Sequence, residues 1–321
     1  MTKMQLPSLA WQKELFGVTD DNFHILTDLY KVSHGMLNDS VKLFQAWYDL
    51  QPHFPNILFD ERMVARILSM NKFSVERSKE KLENLFMAKN IMPEFFELRD
   101  PWTPEVSKAI DATDWIFIPK LTPENYRVQI VRINPDELDS YDPATAFVTG
   151  FMVADVRVHL DVAVGDIFVW DLSHLKFSHC IKTNPVTVKK VMFLIEQCYG
   201  AHIRGFHMLN IPPYAEFLVT AMKAGLKKKV SDRVFIHKSM EDLFKEVPRE
   251  YIPKDMGGDF PRTCREISDD MKKVVRSPEW RTWYLDSVKY KTDETKRELQ
   301  PQTRVDDLLG LMGTFRKLDI D

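Results

Sequence analysis

Three cysteines in 321 residues are too few to make a disulfide framework. Cys180, Cys198 and Cys264 contain no CxxC pair, so no zinc pattern is present either. Glycine is also scarce, at 11 residues. There is no GxSxG elbow, no GxGxxG fingerprint and no phosphate-cradling glycine loop, which argues against the enzymes built on them. Neither sign of charge dominates: 44 Lys and Arg stand against 47 Asp and Glu. A general nucleic-acid binder would be strongly basic. Any membrane contact must therefore come from a local patch. No apolar run reaches the roughly 18 residues that a membrane span needs. Residues 1–18 carry no secretory pattern, and with the sparse cysteines this leads to the expectation of a reduced, cytoplasmic protein. No internal repeat or low-complexity segment interrupts the chain.

Hydrophobic residues are 44% of the chain and aromatics 12%, enough for a sizeable core in one large or two ordinary domains. The first third reads as helices. Thr19 or Asp20 can cap one that carries Phe23, Leu26, Leu29 and Val32. Ser40 can cap the next, with Leu43, Phe44, Trp47 and Tyr48 on one face, until Pro52 and Pro55 break it. Asp60 precedes Met63, Val64, Ile67 and Leu68. Ser74 opens a charged helix bearing Leu82, Leu85 and Phe86, and Pro93, Pro101 and Pro104 punctuate the exit.

From about Trp115 the period changes. Residues 126–133 and 166–172 are apolar enough for buried strands, as are 203–210 and 233–237. Between them, 144–156 and 185–199 fit helices, although the β-branched residues of the first weaken its helical signal. Strands alternating with helices predict a mainly parallel sheet with helical crossovers. After Gly258 the chain is more polar. Ile267, Met271, Val274 and Val275 mark one amphipathic helix, and Ser277-Pro278 starts another as cap and first helical residue.

Residues 202–258 are the most informative stretch. After Ile211-Pro212-Pro213 the spacing of Tyr214, Phe217, Leu218, Ala221 and Met222 predicts a helix with one apolar stripe. Lys223, Lys227, Lys228, Lys229 and Arg233 follow, opposed only by Asp232. Such a stripe fits either ordinary core packing or a gate over an apolar cavity that opens at an anionic surface. A helical turn places Lys229 and Arg233 four apart on one face. Asp171, Ser173 and His174 look superficially like a hydrolytic triad, but near-neighbours at a strand end cannot converge on one point. The spacing of His174, His179 and Cys180 matches no common metal site. His207, on a buried strand, reads as a hydrogen-bonded core histidine.

Three strings carry a resemblance: Arg204-Gly205-Phe206-His207-Met208-Leu209-Asn210-Ile211-Pro212, the unusual Pro248-Arg249-Glu250-Tyr251-Ile252-Pro253-Lys254-Asp255-Met256-Gly257-Gly258, and Asp171-Leu172 with Phe177-Ser178-His179. They resemble the CRAL-TRIO lipid-binding family in order and spacing. Upstream, Pro52-His53-Phe54-Pro55, Asp60 through Phe73, Pro93-Glu94-Phe95-Phe96 and Arg99-Asp100 are similar to that family's helical N-terminal module. Downstream, Tyr290, Asp293-Glu294-Thr295-Lys296-Arg297 and Gly313-Thr314-Phe315-Arg316-Lys317-Leu318 resemble the tail of its tocopherol-transfer-like branch, in the form common in insects.

The resemblance implies an α/β fold: an N-terminal all-helical module over 1–105, a CRAL-TRIO domain over 106–262 with a mainly parallel sheet, helical crossovers and a mobile lid helix, and a tail over 263–321 packed on that domain. It implies a pocket lined by Val148, Met152, Trp170, Leu175, Thr183, Leu194, Ile195 and Phe206, closed by Phe217, Leu218, Met222 and Leu226. Positions 148 and 152 resemble polar serines in the tocopherol binder, so Val and Met here imply a more apolar pocket. Arg204, Lys229 and Arg233 resemble residues that grip a phosphoinositide headgroup. Two departures stand out: His202 replaces a cation, and Ser69-Met70-Asn71 replaces an Arg-x-Arg pair. The expected function is carriage of one hydrophobic small molecule, such as a retinoid, carotenoid or tocopherol, with exchange at anionic membranes and no covalent chemistry, cofactor or metal. Two alternatives are a phosphatidylinositol-type phospholipid exchanger and a membrane-recruitment module without cargo.

Overall fold

The computed structural model describes residues 2–3, 6–199 and 202–297. The tail motif expected at Gly313-Thr314-Phe315-Arg316-Lys317-Leu318, with the rest of 298–321, lies outside the described residues. A short parallel pair, β1 (Thr2–Lys3) and β2 (Ile57–Leu58), ties the beginning of the chain to the helical module. The first helices are α1 (Gln12–Phe16), α2 (His24–Leu29), α3 (His34–Asp49), α4 (Glu61–Met70), α5 (Val75–Ile91) and α6 (Pro104–Ala112). Asp60 and Ser74 cap α4 and α5 as expected, each accepting a hydrogen bond from a backbone N–H of the first turn. The expected cap at Ser40 is a correction. That residue sits inside α3, which starts earlier because Ser33 accepts from the Met36 N–H. As a result Phe44 and Tyr48 face inward, and Leu43 is turned to solvent.

The five-stranded sheet runs in the order β3 (Thr113–Leu121), β4 (Tyr126–Ile133), β5 (Gly165–Asp171), β6 (Ile203–Leu209), β7 (Val234–His237). Only the β3–β4 pair is antiparallel. Helix α7 (Pro143–Leu160) links β4 to β5, with Asp142 as cap and Pro143 in its first turn. Between β5 and β6 come α8 (Phe177–Lys182), α9 (Pro185–Phe193) and a π-helical turn, Leu194–Cys198. Between β6 and β7 come α10 (Glu216–Ala224) and α11 (Lys228–Ser231). After α12 (Met240–Leu243), the chain ends its described part with α13 (Cys264–Val275) and α14 (Pro278–Ser287), both capped as their sequences require.

Side-chain alternation divides the sheet. Ile116, Ile118, Val128, Ile130, Val169 and Leu209 face a layer formed by Leu243, Val247, Tyr251, Ile252 and Phe260. The opposite face looks toward α7, α9 and α10. The helical module is joined to this body by buried polar groups as well as by apolar packing. Arg127 and Asp161 form an ion pair at 2.8 Å with both side chains fully buried, and Arg127 also donates to the Phe16 carbonyl. Asp155 gathers Arg99, the Tyr199 hydroxyl and the Trp283 indole N–H, at 3.0, 2.9 and 3.2 Å.

Candidate functional site

The face of the sheet that looks toward the crossover helices does not close on itself. Trp115 and Phe117 of β3, Val131 of β4, and Phe168 and Trp170 of β5 form one wall. Ala146, Phe147, Gly150, Phe151, Ala154 and Val158 of α7 form another, at the spacing of one helix face. Val188, Val191, Met192 and Ile195 come from α9 and the π turn, and Leu218, Val219 and Met222 from α10. Together they bound a cavity of about 190 Å³. Thr113 Oγ1, Trp115 Nε1 and Trp170 Nε1 on this wall are buried and have no hydrogen-bond partner among the described residues. Arg157 and Asp166 also reach the wall but satisfy each other at 2.8 Å.

Six of the residues singled out from sequence lie on the cavity: Trp170, Leu175, Thr183, Ile195, Leu218 and Met222. The other six lie elsewhere. Val148 and Met152 occupy the opposite face of α7, packed with Ile110, Trp280 and Tyr284. The apolarity of the pocket therefore does not come from those two positions. Leu194, Phe206 and Leu226 are buried behind the wall, where Phe206 stacks on Phe168 with ring centroids 4.5 Å apart. Phe217 points outward and is 43% exposed, so the lid stripe is split: Val219, Ala221 and Met222 face in, and Tyr214 and Phe217 face out. Sequence reasoning missed Trp115, Phe147, Phe151 and Phe168. Phe168 was available, because it stands two residues before Trp170 on one strand. The face of α7 was not, because its apolar residues surround the helix.

An exposed apolar rim borders this lid. Phe177 and Ile181 of α8 are 59% and 69% exposed, and α8 packs beside the turn that carries Tyr214. The Phe177 ring meets Tyr214 edge-on at 5.7 Å, and the Tyr214 hydroxyl donates to the Leu175 carbonyl at 2.6 Å. Lys176 and Lys182 flank the α8 residues in sequence.

The basic residues gather around His202. Burial, then Lys72, Arg233, Lys229 and Arg204, push its imidazole down to about 4, so it is neutral at neutral pH. Its Nδ1 is buried without a partner among the described residues. Arg204 and Lys229 are exposed, and Arg233 donates to the Ile203 carbonyl at 2.7 Å. Helix α11 ends at Ser231, so Arg233 joins the group from the loop and not from a shared helix face. Lys72, which follows the Ser69-Met70-Asn71 departure, comes from the helical module and was not singled out from the sequence. It has left-handed backbone, as does Phe73, each at φ 57°.

The other chemical candidates are occupied structurally. Asp171 accepts from the Ser173 backbone N–H and from Asn210. His207 Nδ1 lies 2.9 Å from His237 Nε2. Among the described residues no group of three His, Cys, Asp or Glu side chains is placed to hold a metal ion. Nor is any helix among them long and apolar enough to cross a membrane.

Two family profiles match: a CRAL/TRIO domain over residues 116–258, and a Pinta-like UBA domain over 34–106. The human protein "Alpha-tocopherol transfer protein-like" is 24% identical over 275 residues, covering 83% of this chain and 75% of its own length. Rat "Clavesin-1" is 30% identical over 98 residues, 30% of this chain and 28% of its own. A crystal structure of Sfh5 covers 84% of this chain and 97% of its own at 12% identity, with a TM-score of 0.41. The sheet and its crossovers agree with the domain match: residues 116–258 are a CRAL/TRIO domain, preceded by a helical module, and over most of its length the chain is similar to proteins named for tocopherol transfer.

Proposed function

We propose that this protein carries one hydrophobic small molecule in the cavity and exchanges it at anionic membrane surfaces, with α10 as the lid. The observation that carries this reading is the cavity, about 190 Å³ of mostly apolar space inside the domain. A well-packed interior has few voids larger than a water molecule. A terpenoid or acyl chain burying on the order of 400 Å² of apolar area would favour the pocket over water by roughly 10 kcal/mol at about 25 cal/mol per Å². A membrane interior offers the same gain, so capture and release must depend on contact with the bilayer. The rim of Phe177, Ile181, Tyr214 and Phe217 supplies an apolar contact next to the lid. The Arg204, Lys229 and Arg233 group, with Lys72, supplies an anion-attracting one, suited to phosphoinositide headgroups. The relatives named for tocopherol transfer support the carrier reading without fixing the cargo.

The test is native mass spectrometry of the purified protein, followed by organic extraction. A stoichiometric isoprenoid or fatty species supports the carrier. A bound phospholipid would replace it with a phospholipid exchanger. An apo mass that does not shift on incubation with a lipid panel would leave membrane recruitment without cargo.

A further inference from the structure

A second chamber adjoins the first. It measures about 70 Å³ and lies where α4 and α5 of the helical module meet α7, the π turn and α14. Its walls are mixed: Lys89, Asp155 and His159 stand beside Phe59, Phe86 and Trp283. Met70, Val158 and Tyr199 line both chambers and so stand between them.

Lys89 is the anomaly in this chamber. Its ammonium is buried and donates to the Ser287 carbonyl at 2.7 Å. Phe86, Phe96 and Tyr290 surround it with ring centroids 5.7–5.9 Å away. Among the described residues no carboxylate stands within ion-pair distance of it. Asp155, the carboxylate on the same wall, is already engaged by Arg99, Tyr199 and Trp283. A buried cation held only by a neutral carbonyl and ring faces lacks a counter-charge. A second polar atom is also unfilled. His159 Nδ1 lies 2.7 Å from the Asp155 carbonyl, while its Nε2 is buried with no partner among the described residues. The space could hold a few waters, but water supplies no negative charge.

We propose that the cargo is an amphiphile with a terminal carboxylate, whose chain lies in the main cavity and whose headgroup passes the Met70–Val158–Tyr199 partition to meet Lys89. This rests on the carrier reading and names its ligand class. The carboxylate accepts from the Lys89 ammonium, a charge-assisted bond; the neutral His159 keeps its proton on Nδ1 toward the Asp155 carbonyl, so its Nε2 can only accept and takes no part in holding the anion. Burial pushes the Lys89 amine down to about 7 despite the opposing pull of Asp155, with Arg99 adding to the depression. An entering anion reverses that depression, so binding takes up a proton.

The probes are the fluorescent polyene cis-parinaric acid and its methyl ester, titrated into the full chain and into Lys89→Met. The wild type is expected to bind the acid about tenfold more tightly than the ester at neutral pH. Lys89→Met is expected to erase that preference and leave ester affinity within about twofold. Because a buried substitution can disturb folding, the wild type is also titrated from pH 6.5 to 9.5. Its acid preference should decline as the ammonium loses its proton, with ester binding flat. Equal affinity for acid and ester, an equal loss of both in Lys89→Met, or a pH-independent preference would each overturn the inference and leave the carrier standing. If neither probe binds the wild type, the carrier reading falls and the inference with it.

Discussion

The indole of Trp115 lies so close to the backbone of Gly150 that a methyl group added there would come within 2.6 Å of its Cη2. Both residues line the main cavity. Glycine in mid-helix costs about 1 kcal/mol relative to alanine, so its presence trades helix stability for ring space. Gly150→Leu should push the indole into the cavity. The expected outcome is a folded protein with at least about tenfold weaker affinity for its cargo. Organic extraction of the purified variant, beside a circular dichroism melt, checks both halves. Undiminished lipid occupancy would show that the cavity is not the cargo site.

Acid should destabilise the fold in two stages. His159 and His207 are both held down to about 4, in each case mainly by burial. Their unfolded values lie near 6.5, so the unfolded chain binds the extra protons. Stability is full above about pH 6.5 and falls as pH drops toward about 4. Asp161 follows the carboxylate rule. Burial alone would raise it, but Arg127 and Arg157 outweigh that and hold it below the usual range. Its contribution persists above the unfolded carboxylate pKa and is lost only as pH falls through the lowered value. Urea midpoints measured from pH 7.5 to 3 should show the first decline flattened in His207→Gln. Asp161→Ala strands Arg127 without a counter-charge and should cost about 3–5 kcal/mol at neutral pH.

What the sequence made legible follows from how local each signal is. Caps at Asp60, Ser74 and Ser277 are decided by the residue and its next three neighbours, and they stand where expected. Strand β4 has the predicted bounds because a run of Val and Ile between polar turns is a local pattern. Ser40 misled because Ser33 offered an equally good cap seven residues earlier. The cavity faces were harder. Along β5 and α10, residues such as Trp170 and Leu218 could be placed, but α7 is apolar all round, and only its neighbours decide that Phe147 and Phe151 look inward while Val148 and Met152 do not. Lys72 was invisible for a related reason. It is 130 residues from His202, and only the packing of the helical module on the sheet brings them together.

The exposed rim makes a separable prediction. Phe177 and Ile181 are too exposed to contribute much to the core, so replacing both with Asp should leave the melting temperature and cargo affinity nearly unchanged. Sedimentation with anionic vesicles should fall by on the order of tenfold, since each large apolar side chain moved out of water is worth up to about 2 kcal/mol. Unaltered sedimentation would mean that the lid does not face the bilayer.

The cation cluster predicts a pH dependence of its own. His202 is neutral partly because Lys72, Arg233, Lys229 and Arg204 repel a further positive charge. A phosphate bound among them would offset that repulsion, and the imidazole pKa would rise. Binding that raises a pKa is accompanied by proton uptake, so affinity must increase as pH falls through the raised value. Lipid phosphate monoesters titrate near 6 and push the other way, losing charge as pH falls. The informative quantity is therefore the difference between the wild type and His202→Asn on phosphoinositide-containing vesicles from pH 8 to 5.5. The wild type should gain relative affinity at the acid end. His202→Lys, which restores a permanent cation, should bind more tightly at pH 8 and lose the relative gain. Lys72→Ala should weaken all three proteins by a similar factor, about fivefold for roughly 1 kcal/mol per surface cation. If Lys72→Ala has no effect while Lys229→Ala does, the helical module takes no part in the headgroup site.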